Sequence, residues 1–427
     1  MLSSQNSLNS TSSNALQSLL PSDSLLGSLG LNSISNIGDL QNTLGSFSNI
    51  GSSSPSLEDI LSSGSSSTQQ QASSKSLLAT KNPNPNPIFS SAAILVDFNG
   101  DGKTDRFWRN SQTGENQVWL MDGSKVTSQV SLPTLGAQWT YQIADFNGDS
   151  KTDLLWHNSQ TGENQVWLMN GTQIASQASL QTLSSAWTPS ITDFNGDGKT
   201  DILWHNTQTG ENTAWTMNGT TVAASTALQK LDPSWTPTIA DFNRDGKTDI
   251  VWRNTQTGQN QVWLMNGTTA TASTLPTVSS DWTLSVGDFN SDYASDLLWH
   301  NTKTGENKVW LMNGATPSET VLAKTSANSQ ASIGDFNGDG KTDILWRDSS
   351  TGTNTLWTMN GATATASTLP TLGSGWQPSI GDFNGDGKTD IFWRNYGTGE
   401  NTIWTMDGTK VATTTSEATL SKEWYTF

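Results

Sequence analysis

The feature that most constrains this chain is a nine-residue phrase, Asp97-Phe98-Asn99-Gly100-Asp101-Gly102-Lys103-Thr104-Asp105, whose pattern recurs seven times. The copies begin at Asp97, Asp145, Asp193, Asp241, Asp288, Asp335 and Asp382, spaced 48, 48, 48, 47, 47 and 47 residues apart. A fixed period of that length means stacked copies of one supersecondary unit rather than a set of ordinary domains. Within the phrase, oxygen-bearing side chains fall at the first, third, fifth and ninth places: Asp97, Asn99, Asp101 and Asp105 in the first copy. Hard cations such as Ca2+ take about six to eight oxygens from carboxylates, amides, carbonyls and water. A Gly at the sixth place permits the sharp turn such a loop needs, and the backbone carbonyl at the seventh, Lys103, would supply a further ligand. The bidentate Glu that ends an EF-hand loop is missing. Instead Asp105 leads straight into Arg106-Phe107-Trp108, which reads as a strand. The phrase therefore reads as a calcium loop between strands.

The same places in the other copies are Asp145, Asn147, Asp149, Lys151 and Asp153, then Asp193, Asn195, Asp197, Lys199 and Asp201. They continue as Asp241, Asn243, Asp245, Lys247 and Asp249, and as Asp288, Asn290, Asp292, Ala294 and Asp296. The last two sets are Asp335, Asn337, Asp339, Lys341 and Asp343, and Asp382, Asn384, Asp386, Lys388 and Asp390. One copy alone reads equally as an Asn/Asp/Gly turn that binds nothing. Seven in one register favour a metal, because a plain turn has no use for three carboxylates that repel one another. Two copies are weaker: Ser150 replaces the sixth-place Gly in the second, and Tyr293, Ala294 and Ser295 depart from the phrase in the fifth.

The formal charge of −17 would ordinarily mean avoidance of nucleic acid and anionic membrane. Here the loops hold twenty-one of the 38 acidic residues, and seven bound Ca2+ would bring the charge to about −3. The acidity is thus metal ligand more than partner surface. There is no cysteine, so neither disulfides nor a thiolate site is available. Loops of this kind fill at the millimolar calcium found outside cells, which points to an extracellular or cell-surface home. No apolar run is long enough for a membrane span. The start lacks the basic and apolar regions of an ordinary signal peptide, so export is expected by another route.

Residues 1–80 form a Ser/Leu/Asn-rich leader, read as disordered or as ordering on self-association. Residues 81–87, Lys-Asn-Pro-Asn-Pro-Asn-Pro, are a semi-rigid extended spacer. From 88 to 427 each repeat has one grammar. After the loop comes a strand such as Ile202-Leu203-Trp204-His205-Asn206, then a Thr209-Gly210 turn. A second strand carries Trp215 and Met217 and ends at the hairpin signal Asn218-Gly219. A third strand spans Thr220 to Ala227, and Trp235 opens a fourth that runs to the next loop. Four short antiparallel strands per repeat predict an all-β, seven-bladed propeller.

The tryptophans agree: three per repeat would make twenty-one, the chain has 20, and the missing one is replaced by Asn328-Ser329-Gln330 in the fifth repeat. Regular aromatics at every blade read as packing between sheets, with a carbohydrate platform as the alternative. All three His residues, His157, His205 and His300, share a repeat place with Arg109, Arg253, Arg347 and Arg394. Interchange with Arg argues against catalysis. It leaves hydrogen bonding to a neighbouring blade or carboxylate, or a ring of donors reading a sugar. No singular acid pair, phosphate loop or Ser/His/Asp set stands out from the repeat, so no enzyme is expected.

With Asp-Phe-Asn-Gly-Asp-Gly-Lys-Thr-Asp-Ile-Leu-Trp in hand, residues 88–427 resemble the FG-GAP/VCBS repeat family, similar to integrin alpha heads and some fungal propeller lectins. The resemblance implies calcium in the loops and an extracellular adhesive or structural role. The chain lacks the literal Phe-Gly…Gly-Ala-Pro words of integrin repeats. Trp424-Tyr425-Thr426-Phe427 and Ile88–Val96 both compete for one strand slot beside the first blade, so one of them is expected to be spare for pairing with a second copy. The leading expectation is a non-enzymatic calcium-binding surface propeller that self-assembles. A propeller lectin holding glycans is the alternative, and a polysaccharide-acting enzyme ranks last.

Overall fold

The structure is a computed structural model and describes residues 96–426. The leader, the spacer and residues 88–95 of the first expected strand lie outside the described residues. The described chain forms seven four-stranded antiparallel sheets, as the repeat count predicts. No helix among the described residues is long and apolar enough to cross a membrane.

The second blade shows why the sequence folds this way. Its strands are β4 (Trp139–Ala144), β5 (Asp153–Asn158), β6 (Asn164–Asn170) and β7 (Gln173–Leu180), hydrogen-bonded in that order. β5 is buried along its whole length, as Leu154-Leu155-Trp156 between two sheets requires. β6 alternates, with Val166, Trp167 and Met169 buried, and β7 is largely exposed at the rim. The Asn170-Gly171 turn joins β6 to β7, with Gly171 at φ 62°, a left-handed conformation that favours glycine.

The sequence repeat and the blade are offset by one strand. β4 follows β3 (Lys125–Leu132) in the first repeat yet pairs with β5, from Trp139 opposite Asn158 to Ala144 opposite Asp153. The loop at 145–152 is therefore the connection of a hairpin, and the fourth strand of each repeat becomes the inner strand of the next sheet. Neighbouring sheets meet along these inner strands.

The offset decides closure. β1 (Arg106–Asn110) and β2 (Asn116–Asp122) of the first blade lack an inner strand from a preceding repeat. β28 (Trp424–Tyr425) fills that place, with Asn110 opposite Trp424 and Arg109 opposite Tyr425. At the other end of β1, the Asp105 amide donates to the Val96 carbonyl at 2.5 Å, where Ala144 stands beside Asp153 in the second blade. Trp424–Tyr425 and Val96 lie at opposite ends of β1. Trp424–Tyr425 therefore takes the slot beside β1, while residues 88–95 of the competing segment lie outside the described residues.

Aromatic pairs pack inside each blade, such as Trp108–Trp119 and Trp252–Trp263, with ring centroids 5.3 and 5.2 Å apart. The fifth repeat keeps its architecture without its third tryptophan: Ser329 begins β20 (Ser329–Gly334) in the same register.

Candidate functional site

Strand direction gives the ring two faces. One carries the seven Asp-rich loops and the Asn-Gly or Asp-Gly hairpins. The other carries the Thr-Gly turns and the tryptophans that begin inner strands.

In the first loop, Asp97 Oδ1 accepts from the Gly100 and Asp101 amides at 2.6 and 3.2 Å, and its Oδ2 accepts from Gly102 at 2.8 Å. Asn99 Oδ1 accepts from the Asp101 amide, and Asp101 Oδ1 accepts from the Lys103 amide, each at 2.9 Å. The Lys side chains turn outward. Lys199 donates to Asn218, Lys247 to Asn266 and Lys388 to Asp407, all at 2.7 Å. The weaker loops hold the same shape. In the second, Ser150 donates to Asp145 at 2.9 Å. In the fifth, Tyr293 donates to Asp288 and Ala294 to Asp292, both at 2.9 Å. Ser150 and Tyr293 accept left-handed φ values of 64° and 70° to do so.

The ninth-place Asp has a second task that the sequence reading missed. Asp105 Oδ2 accepts from the Phe98 amide at 2.8 Å and its Oδ1 from Met121 on β2 at 2.9 Å. Asp153, Asp201, Asp249, Asp296, Asp343 and Asp390 repeat both bonds. These carboxylates tie the loop to the second strand. Also missed was the eighth-place Thr. Thr152 Oγ1 accepts from the Asp97 amide at 2.8 Å, and Thr104 Oγ1 accepts from Asp382 at 2.9 Å, so each such loop clasps its predecessor around the ring. The signal was present: a Thr or Ser follows the seventh place in every copy.

Burial pushes Asp105, Asp153, Asp201, Asp249 and Asp296 up to about 7, and Asp343 and Asp390 up to about 6. The two amide donors oppose that rise, and the other Asp charges of the same loop add to it. Burial likewise raises the first-place Asp145, Asp193, Asp241, Asp288 and Asp382. Among the described residues, no group of three or more acidic side chains already converges on one point. The donor set nonetheless suits a hard cation. Each loop offers three carboxylates and an amide oxygen within nine residues, their mutual repulsion asks for positive charge, and a carboxylate oxygen serves an amide and a cation together.

The Arg/His place is structural. Arg109 donates to Asn116 Oδ1 at 2.8 Å and to the Gly136 carbonyl at 2.7 Å, and His157 Nδ1 lies 2.7 Å from Asn164 Oδ1. Each then lies against a tryptophan of the next blade, as Arg109 over Trp156 at 5.0 Å and His157 beside Trp204 at 5.6 Å. Burial lowers the pKa of Arg109, His157 and His205. The neighbouring blade is the partner, through an indole ring. The hydrogen-bond acceptors are Asn side chains and backbone carbonyls, and Arg253 also donates to the Trp282 carbonyl on the inner strand of the next blade at 3.0 Å.

On the opposite face, Trp187, Trp235, Trp282 and Trp376 are half-buried, unlike the enclosed tryptophans of the middle strands. The adjoining turns expose polar triplets, among them Thr207-Gln208-Thr209 and Thr255-Gln256-Thr257. Lys308 Nζ lies 5.1 Å over the Trp282 ring.

No curated protein matches this chain. Among solved structures, a lectin of Agrocybe aegerita, described as recognising non-reducing terminal N-acetylglucosamine, superposes with a TM-score of 0.63 at 15% identity. The match covers 81% of this chain and 98% of that one. A putative 6-phosphogluconolactonase of Bacteroides fragilis follows at TM-score 0.47 and 12% identity, covering 77% and 99%, too distant to argue from. At such identities the lectin shows the fold alone. The FG-GAP-like repeat model matches at 97–156, 145–204, 193–252, 241–299, 288–346 and 335–393, a continuous stretch spanning more than half of the chain. This chain belongs to the FG-GAP-like repeat family.

Proposed function

We propose that this protein is a non-enzymatic, carbohydrate-binding propeller that works outside the cell with Ca2+ in its loops. The observation that carries the reading is the half-buried tryptophan at the same place in four blades, Trp187, Trp235, Trp282 and Trp376, set beside exposed hydroxyl and amide side chains. A sugar ring offers an apolar face that stacks on indole and hydroxyls that exchange hydrogen bonds, so this pairing is the chemistry a saccharide needs. The fold likeness to a lectin supports the same reading. It stands ahead of self-assembly, because Trp424–Tyr425 is already paired with β1 within the chain.

The calcium would be held by the first-, third- and fifth-place side chains and the seventh-place carbonyl, with the ninth-place Asp shared between cation and backbone. Its contribution is to neutralise the loop carboxylates and stiffen one face of the ring. A glycan array probed with the full chain in millimolar calcium tests the function. Reproducible binding to glycans sharing one terminal sugar is expected. A folded protein that binds no glycan above background would return the choice to a purely structural role.

A further inference from the structure

One blade interface differs from the other six in its chemistry. Where each outer strand ends against the next blade, the chain places Leu132, Leu180, Leu228, Leu275, Leu322 and Leu369. Each packs in one cluster with the first or second residue of the next blade's second strand, a leucine or isoleucine such as Leu154 or Ile202. At the seventh interface, between the last blade and the first, the outer-strand residue is Glu417 of β27 (Lys410–Glu417) and its counterpart is Arg106 of β1.

Both side chains are buried, exposed by 3% and 0%, with an N–O separation of 3.8 Å. The Arg106 guanidinium carbon lies 3.2 Å from the centroid of the Phe392 ring and 4.5 Å from that of Phe383, both of the last blade. Among the described residues, none of the three Arg106 nitrogens or two Glu417 oxygens has a hydrogen-bond partner. An aliphatic pair there would be cheaper, because a buried ion pair contributes little net stability compared with well-packed hydrophobic residues. What such a pair supplies well is selectivity, since either charge alone against an apolar partner is strongly disfavoured.

We infer that Arg106 and Glu417 form an address for ring closure, admitting the first blade to the last and refusing it to any other. Seven near-identical repeats present near-identical faces, so the first blade could otherwise dock on an inner blade of a second copy. Against any of the six leucines, Arg106 would be buried without a counter-charge. Glu417 is the one acidic residue at this place in the seven blades. The pair also stands at the interface where β28 pairs with β1. This specialisation holds whether or not the protein binds sugar.

The test uses the full chain and the variants R106L, E417L and R106L/E417L. Urea unfolding measures stability, and light scattering after refolding measures the monomer fraction. Each single variant is expected to lose roughly a hundredfold or more in its folded-to-unfolded ratio, because one ion is left unpaired. The double variant, which carries the aliphatic pair of the other interfaces, is expected to regain the wild-type midpoint while refolding to less monomer and more high-mass species. Single variants as stable as the wild type, a double variant as unstable as the singles, or a double variant that refolds to the wild-type monomer fraction would each overturn the inference. If the singles fail to fold, the double variant alone decides.

Discussion

In each loop the ninth-place carboxylate stands between two demands. Asp201 accepts from Met217 at 2.8 Å and from Phe194 at 3.1 Å while fully buried. Its spacing in the sequence was legible as a ligand place, but the anchoring was not, because Met217 lies a strand away. The two roles separate in Asp201→Asn, which keeps one acceptor oxygen and turns an amide NH2 toward the other backbone donor. A loss of about 1–3 kcal/mol is expected in urea unfolding even with EDTA present. A residue that only bound calcium would show no loss there. The titration of these groups gives a second prediction. Their folded pKa of about 7 lies above the ordinary 3.8, so between those values the native state holds more protons than the unfolded one. Their stabilising contribution is present in full at low pH and is lost as pH rises through 7. In EDTA the urea midpoint should fall between pH 5 and pH 8, and calcium should raise it most at pH 8, since the cation needs the charged form. An EDTA midpoint that stays level or climbs across that range would contradict the shifts.

At the scale of the strand, the sequence told element type well and partnership poorly. Asn218-Gly219, Thr209-Gly210 and the regular tryptophans marked four strands per repeat, because turn chemistry and alternation are local. Which sheet the fourth strand joins is settled by pairing across a loop, as in Trp235 opposite Asn254, and no local signal encodes it. The same limit hid the indole partner of the Arg/His place, since the Arg253 guanidinium carbon comes within 4.8 Å of the Trp299 ring centroid only once two sheets have stacked. Trp252 and Trp235 differ in burial and have opposite expected behaviour. Trp252 is enclosed, so Trp252→Ala should cost about 3–5 kcal/mol in unfolding experiments. Trp235 is half-buried at the start of an inner strand, so Trp235→Ala should unfold closer to the wild type and weaken glycan binding instead. Equal destabilisation by the two would remove the distinction.

For the whole molecule, the repeat period predicted the number of blades and the slot beside the first blade, while the segment that pairs there had to be read from the structure. Trp424–Tyr425, from the C-terminal end of the repeats, completes the sheet of the first blade, and Val96 adds one hydrogen bond from Asp105 beside it. Removing residues 424–427 should therefore destabilise the propeller far more than removing four residues from a surface loop. The check is the calorimetric unfolding midpoint of the two deletions side by side, and equal midpoints would mean that β28 does not close the ring. The proposed binding face belongs to this scale too, since it is built from several blades at once. Its most direct test is isothermal titration of a glycan taken from the array into the wild type and into the variant Trp187→Ala/Trp235→Ala/Trp282→Ala, both in calcium and both shown to be folded. The account predicts that the number of bound glycans falls as these rings are removed. Unchanged stoichiometry and affinity in the triple variant would contradict it.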